Sequence, residues 1–135
     1  MKSLREMYNL AHDSSGFNSG LVNWYNKLID KTNNELTIAD VCKMIRQDVL
    51  KDIAINKAIE FFLSDPYDGE YSDGGLLEVL ASLDIRSLDV SYINKLNIVL
   101  EDVKQDYTDF EWFDDETKNQ YAQNIDILAK KLESI

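Results

Sequence analysis

The sequence predicts an all-α fold, a compact bundle of about six to seven helices. Apolar residues recur at helical spacing in successive segments. No stretch alternates apolar and polar residues as half-buried strands do, and no hairpin turn pair occurs. Hydrophobic residues make up 44% of the 135 residues, which is enough to build a core. A chain of this length forms one domain more readily than two, so we expect residues 1–135 to be a single helical domain. A compact subdomain formed by the first four helices is the alternative that stays open.

Capping residues and apolar spacing predict the first two helices. Ser3 and Glu6 have the form of a capping box, which predicts a short helix that ends near His12. Residues 14–20 have the composition of a loop. A second helix then runs to about Lys31, because four apolar residues fall at i, i+3, i+4 and i+7. These residues are Leu21, Trp24, Tyr25 and Leu28.

Two further helices fill the chain up to its only proline. Thr37 is a favourable N-cap, and Asp40 follows in the first turn, where a negative charge complements the helix dipole. Cys42 lies on the apolar stripe of this helix, where a small buried hydrophobe is the expected role. A fourth helix covers about residues 52–64 and must end before Pro66, since the residue before proline disfavours helical geometry.

Three helices are predicted after the proline. A glycine-containing loop over residues 68–75 precedes a short, leucine-rich helix that ends near Leu83. A longer helix follows, with an apolar face from Tyr92 to Tyr107. The last helix begins at residues 114–116, where three acidic side chains complement the helix dipole.

The net charge of −11 is not spread evenly along the chain. Residues 1–64 carry eight basic and eight acidic side chains, whereas residues 65–135 carry six basic and seventeen acidic ones. This balance argues against nucleic acid or an anionic membrane as the partner, because proteins that bind phosphates rely on excess cationic charge. Clustered like charge costs stability, so its retention suggests a use; a merely solubilising face is the competing interpretation.

Residue types that carry chemistry are sparse in this chain. The single Cys42 excludes an internal disulfide and a cysteine-based zinc cluster, and it fits a reducing compartment. The acidic residues of 65–78 fit neither register of a calcium-binding loop, and the neighbours of His12 in sequence cannot form a catalytic relay with it. We expect no catalytic residue, no metal site and no cofactor. Without a signal-peptide start or a membrane-length apolar run, we expect a cytoplasmic protein.

Acidic and aromatic residues are interleaved in two segments, residues 67–73 and 106–116. Acidic side chains steer a basic protein partner, while aromatic side chains supply buried anchors. We therefore predict a contact surface for a cationic protein. Residues 106–116 are the leading candidates, and residues 67–73 come second. The candidates are Asp109, Glu111, Trp112, Asp114, Asp115 and Glu116, followed by Asp68, Glu70, Tyr71 and Asp73. The competing interpretation places Phe110, Trp112 and Phe113 in the core between the last two helices, and we favour it for Phe113.

Three stretches of the chain carry a family resemblance. They read NELTIADVCKMIRQ at residues 34–47, AIEFFLSDP at residues 58–66 and EYSDGGLL at residues 70–77. Their pattern resembles that of the CdiI-type immunity proteins of bacterial contact-dependent growth inhibition systems. Gly75 stands where that family usually has a carboxylate, and Val41 with Cys42 replaces a leucine and arginine pair. The resemblance covers roughly residues 34–80.

The resemblance implies a cytoplasmic antidote that binds the C-terminal toxin domain of its cognate CdiA-type effector. A 1:1 complex is expected, with neither nucleic acid nor membrane as partner. Toxins of such systems are often nucleases, which includes tRNases, and nuclease domains are usually basic. Two other classes of function stay open at this point. One is an acidic helical regulatory or scaffold protein with a basic non-toxin partner, and the other is a hydrolase that uses the carboxylates.

Overall fold

The computed structural model describes residues 1–14, 16 and 19–135. Within them the chain forms seven α-helices and two short 3₁₀ turns, and it forms no strand, so the all-α class is confirmed. The helices are α1 (Leu4–Tyr8), α2 (Gly20–Ile29), α3 (Ile38–Gln47), α4 (Lys51–Ser64), α5 (Gly75–Ala81), α6 (Val90–Asp106) and α7 (Asp115–Glu133). The 3₁₀ turns are Asn33–Glu35 and Tyr107–Asp109. Of the predicted loop at 14–20, Ser15, Phe17 and Asn18 lie outside the described residues.

The chain divides into two compact units, residues 1–40 and residues 41–135. The boundary falls in the first turn of α3. One domain over residues 1–135 stays a prediction. None of the helices in the described ranges is long and apolar enough to cross a membrane.

The first helix of the first unit starts as predicted and ends earlier. Ser3 Oγ accepts a hydrogen bond from the Glu6 amide at 3.2 Å, and Glu6 Oε1 accepts one from the Ser3 amide at 3.4 Å. This reciprocal pair is the predicted capping box. The helix ends at Tyr8 rather than near His12, because Asn9 adopts the left-handed backbone conformation with φ 53°.

A second reciprocal pair holds the start of α3. The Asp40 amide donates to Thr37 Oγ1 at 3.1 Å, and the Thr37 amide donates to Asp40 Oδ2 at 3.0 Å. Lys31 Nζ donates to the same Asp40 oxygen at 2.7 Å. Burial opposes ionisation of Asp40, but hydrogen bonds from Lys31 and Thr37 outweigh it, so the pKa of Asp40 lies below its ordinary value. The predicted roles of Thr37 and Asp40 at this helix start are confirmed.

In the second unit, α5 packs against α7, α7 packs against α6, and α4 contacts both α5 and α6. Leucine, isoleucine and aromatic side chains on their facing surfaces are buried, as the apolar spacing predicts. Cys42 is 1% exposed, and burial raises the pKa of its thiol to about 11, so it behaves as a small apolar residue at neutral pH. Lys131 Nζ donates to the carbonyl oxygens of Ala81 and Leu83, which joins α7 to the end of α5.

Candidate interaction surface

The structure brings the two acidic and aromatic segments together. We call residues 67–75 the glycine loop and residues 106–116 the acidic turn. Tyr67 of the glycine loop stacks on Phe110 of the acidic turn, with ring centroids 4.4 Å apart and 14° between the planes. Trp112 meets Tyr67 edge-on at 5.9 Å. The two segments, which sequence reasoning treated separately, are therefore neighbours in space.

Tyr121 of α7 lies at the centre of these aromatic contacts. Its ring centroid is 4.9 Å from that of Trp112, 5.4 Å from that of Tyr67 and 6.4 Å from that of Tyr107. Its hydroxyl donates to the Pro66 carbonyl oxygen at 2.8 Å. Burial raises the pKa of Tyr121 well above its ordinary value. We call Tyr67, Tyr107, Phe110, Trp112 and Tyr121 the aromatic cluster.

Two glycines allow the shape of the glycine loop, Gly74 where it approaches the aromatic cluster and Gly69 where it folds against its own backbone. Gly74 has φ +78°, and a Cβ built on it would lie 2.7 Å from Tyr121 Cδ1. A Cβ on Gly69 would overlap the Ser72 carbonyl oxygen. The loop closes with a hydrogen bond of 2.6 Å from the Gly74 amide to the Tyr67 carbonyl oxygen. A side chain at either glycine would force the loop to move.

Glu70 lies in the glycine loop and is turned toward Arg46 of α3. Arg46 donates two hydrogen bonds, of 2.7 Å and 3.2 Å, to the two oxygens of the Glu70 carboxylate. The Glu70 side chain is only 11% exposed, and the bonds from Arg46 hold the pKa of Glu70 below its ordinary value. Nothing in the local sequence pairs these residues, so sequence reasoning missed Arg46. The other three candidates of this loop, Asp68, Tyr71 and Asp73, are exposed.

The acidic turn contains one inward-facing and one outward-facing aromatic residue in succession. Trp112 is half-buried, and its Nε1 donates to the Tyr107 carbonyl oxygen at 2.7 Å. Phe113 is 91% exposed. The core position that we favoured for Phe113 is therefore wrong, whereas Phe110 and Trp112 do pack internally. The indole of Trp112 already occupies the space over Tyr121.

The carboxylates of the acidic turn differ in what they do. Asp114 is the N-cap of α7, and its Oδ1 accepts from the Thr117 amide at 2.7 Å. These hydrogen bonds from Thr117 lower the pKa of Asp114. The other candidate carboxylates are exposed and make no ion pair within the described part of the chain. They are Asp109, Glu111, Asp115 and Glu116.

An acidic surface with exposed aromatic side chains is typical of proteins that bind other proteins. A family model described as CDI immunity proteins, where CDI is contact-dependent growth inhibition, matches residues 6–98. The chain belongs to the family of CDI immunity proteins. This membership implies immunity to a CdiA toxin, and proteins of the family generally act as binders of toxins. No curated protein matches the chain significantly.

The family match confirms the resemblance seen at residues 34–80 and extends it on both sides. The glycine loop lies inside the matched residues. The acidic turn lies beyond residue 98, in the part of the chain that the family model does not cover.

Proposed function

We propose that this protein neutralises the C-terminal toxin domain of its cognate CdiA-type effector by binding it in a 1:1 complex. The toxin domain is a basic one, a nuclease such as a tRNase, and the complex forms in the cytoplasm. The observation that carries the proposal is the membership of the chain in the CDI immunity family. Within that family role, the joined glycine loop and acidic turn form the contact surface.

The charge of this surface supports a basic partner. Six exposed carboxylates of the acidic turn lie beside a loop that adds Asp68 and Asp73. Such a concentration of negative charge accelerates the encounter with a cationic domain, and the acceleration weakens as salt screens it. Glu70 and Asp114 support the surface differently, because one is paired with Arg46 and the other caps α7.

We expect the complex to bury the area of an ordinary protein interface. A specific complex buries on the order of 1,200–2,000 Å² in total. Ring contacts join the two neighbouring segments, and contacts that order a surface before binding lower the conformational cost of binding. The exposed rim supplies charge, and the exposed aromatic residues supply apolar contact area.

The test uses two matched double variants of α7. Asp115→Asn with Glu116→Gln removes two charges at the start of the helix, and Asp126→Asn with Glu133→Gln removes two exposed charges farther along it. Stopped-flow mixing with the C-terminal toxin domain of the cognate CdiA-type effector should show about threefold to tenfold slower association for the first pair at low salt. The second pair should associate at close to the wild-type rate.

Different outcomes overturn different parts of the proposal. If the wild-type protein forms no complex with that domain, or if deletion of its gene alone leaves a toxin-producing host unharmed, the immunity role for this chain is wrong. If both double variants slow association equally, the acidic turn is not the contact surface. A melting temperature for each variant separates a change in binding from a change in folding.

A further inference from the structure

Phe113 is an apolar side chain displayed on an acidic surface. It is 91% exposed, the highest exposure among the large hydrophobic residues of the described chain. Glu111, Asp114 and Asp115 lie within two residues of it on either side. Water hydrates the exposed ring unfavourably, and a partner that covers the ring would remove this cost.

The protein gives Phe113 no partner of its own at the helix start. Phe113 precedes the N-cap Asp114, and a hydrophobic residue at that position commonly packs on the fourth residue of the helix. In α7 that fourth residue is Lys118, which offers no apolar side chain to complete the contact. Phe113 therefore does not serve as a hydrophobic staple for α7.

The backbone on both sides of Phe113 is held in place. On one side, the Trp112 amide donates to the Phe110 carbonyl oxygen at 3.1 Å, and the Trp112 indole donates to Tyr107 at 2.7 Å. On the other side, Asp114 accepts from the Thr117 amide at 2.7 Å. A side chain on a fixed backbone loses little further entropy when a partner surrounds it. Its two side-chain torsions are the main freedom that binding removes.

We infer that Phe113 is the apolar anchor of the interface and inserts into an apolar pocket of the toxin domain whose rim carries lysine or arginine side chains. This inference rests on the proposed function and deepens it. The acidic residues around Phe113 pair with the basic rim, and the phenyl ring fills the pocket that the rim surrounds. A central aromatic anchor inside a ring of polar contacts is the arrangement that concentrates binding energy in few residues. Trp112, by contrast, supports the surface from within.

The division of roles predicts different effects on two rates. Burial of an anchor slows dissociation, while the charges around it govern the encounter. Phe113→Ala should therefore raise the dissociation rate at least about tenfold and leave the association rate close to that of the wild type. It should also leave the melting temperature unchanged, because the ring contributes little to the folded chain.

The experiment measures dissociation of the complex between the 135-residue chain and the toxin domain by surface plasmon resonance. Ile98→Ala is the matched control, since Ile98 is 65% exposed on α6 and lies outside both segments. It should dissociate like the wild type. Phe113→Trp, which keeps an aromatic ring, should retain more of the wild-type residence time than Phe113→Ala. Trp112→Ala should lower the melting temperature, which Phe113→Ala should not do.

The results separate this inference from the proposed function. A wild-type complex with salt-dependent association, from which Phe113→Ala dissociates no faster, overturns the anchor and leaves the immunity role standing. A lower melting temperature for Phe113→Ala without faster dissociation also overturns it, because the ring would then act in folding. The absence of any complex with the wild type overturns the proposed function itself.

Discussion

The glycine loop and the acidic turn have similar compositions and are built in different ways. Each contributes inward-facing aromatic side chains to the aromatic cluster, and each displays one outside, Tyr71 at 87% and Phe113 at 91% exposure. The loop is shaped by backbone sterics at Gly74 and by the ion pair of Glu70 with Arg46. The turn is shaped by an indole hydrogen bond and a helix cap.

The two segments also differ in how many of their carboxylates are paired inside the protein and how many are exposed. In the glycine loop a carboxylate is paired internally, so part of the loop's charge is neutralised by Arg46. In the acidic turn six carboxylates are exposed. The family match also ends between them, since it includes the loop and stops at residue 98. We therefore expect changes in the loop to act mainly on stability, and changes on the turn's exposed face to act mainly on binding.

The largest expected effect on stability is that of Gly74→Ala. The substitution combines a left-handed backbone with a Cβ that would lie 2.7 Å from Tyr121 Cδ1, and we expect a loss of about 2–4 kcal/mol in the free energy of unfolding. Gly75→Ala is the matched control, because a Cβ there meets nothing closer than 3.5 Å and the residue opens α5. Urea denaturation compares the two; equal stability would show that the loop adapts and that its shape is not set by Gly74.

A smaller effect is expected at the cap of the acidic turn. Asp114→Ala removes the acceptor for the Thr117 amide and should lower the melting temperature, because the helix loses its N-cap. Asp114→Asn keeps an equivalent capping oxygen without the charge and should lower the melting temperature much less. Thermal melts of the two variants show whether the capping hydrogen bond or the negative charge of Asp114 stabilises the start of α7. If Asn destabilises as much as Ala, the charge at the start of α7 matters more than the cap.

The smallest effect is expected from Glu70→Gln, and it should depend on pH. Because Arg46 is about half exposed, the pair contributes about 0.5–1 kcal/mol at neutral pH. The pKa of Glu70 is lower in the folded state than in the unfolded state, so its contribution is present above the unfolded pKa of about 4.3 and disappears as pH falls through the folded value.

Chemical denaturation of the wild type and of Glu70→Gln at pH 7 and near pH 3 measures this dependence. The stability difference between the two proteins should shrink toward the acid end. A difference that stays constant with pH would mean that the shape of the glutamate side chain, rather than its charge, holds the glycine loop.

Local signals in the sequence were sufficient for most of the helix boundaries. The capping pairs of Ser3 with Glu6 and of Thr37 with Asp40, and the acidic start of α7, all depend on residues three or four apart. Pro66 ends α4 for an equally local reason. The early end of α1 at Tyr8 was missed, because the left-handed conformation of Asn9 leaves only a weak mark in the sequence.

Contacts between distant residues escaped sequence reasoning. Arg46 and Glu70 are 24 residues apart, and Tyr121 meets Pro66 across 55 residues. The assignment of Phe113 to the core was wrong because composition treats neighbouring aromatic residues alike. The sequence did contain one indication that Phe113 is exposed. Lys118 stands at the position in α7 where an apolar partner for Phe113 would be needed.

The sequence by itself determined the all-α class, the helix starts, the family and the confinement of the net charge to residues 65–135. The tertiary structure decided which acidic and aromatic side chains are displayed. It placed Trp112 against Tyr121 and Phe113 in solvent, and it joined the glycine loop to the acidic turn. The physical reason is that caps and turns are set by neighbours a few residues away, whereas exposure depends on the space that distant helices leave unfilled.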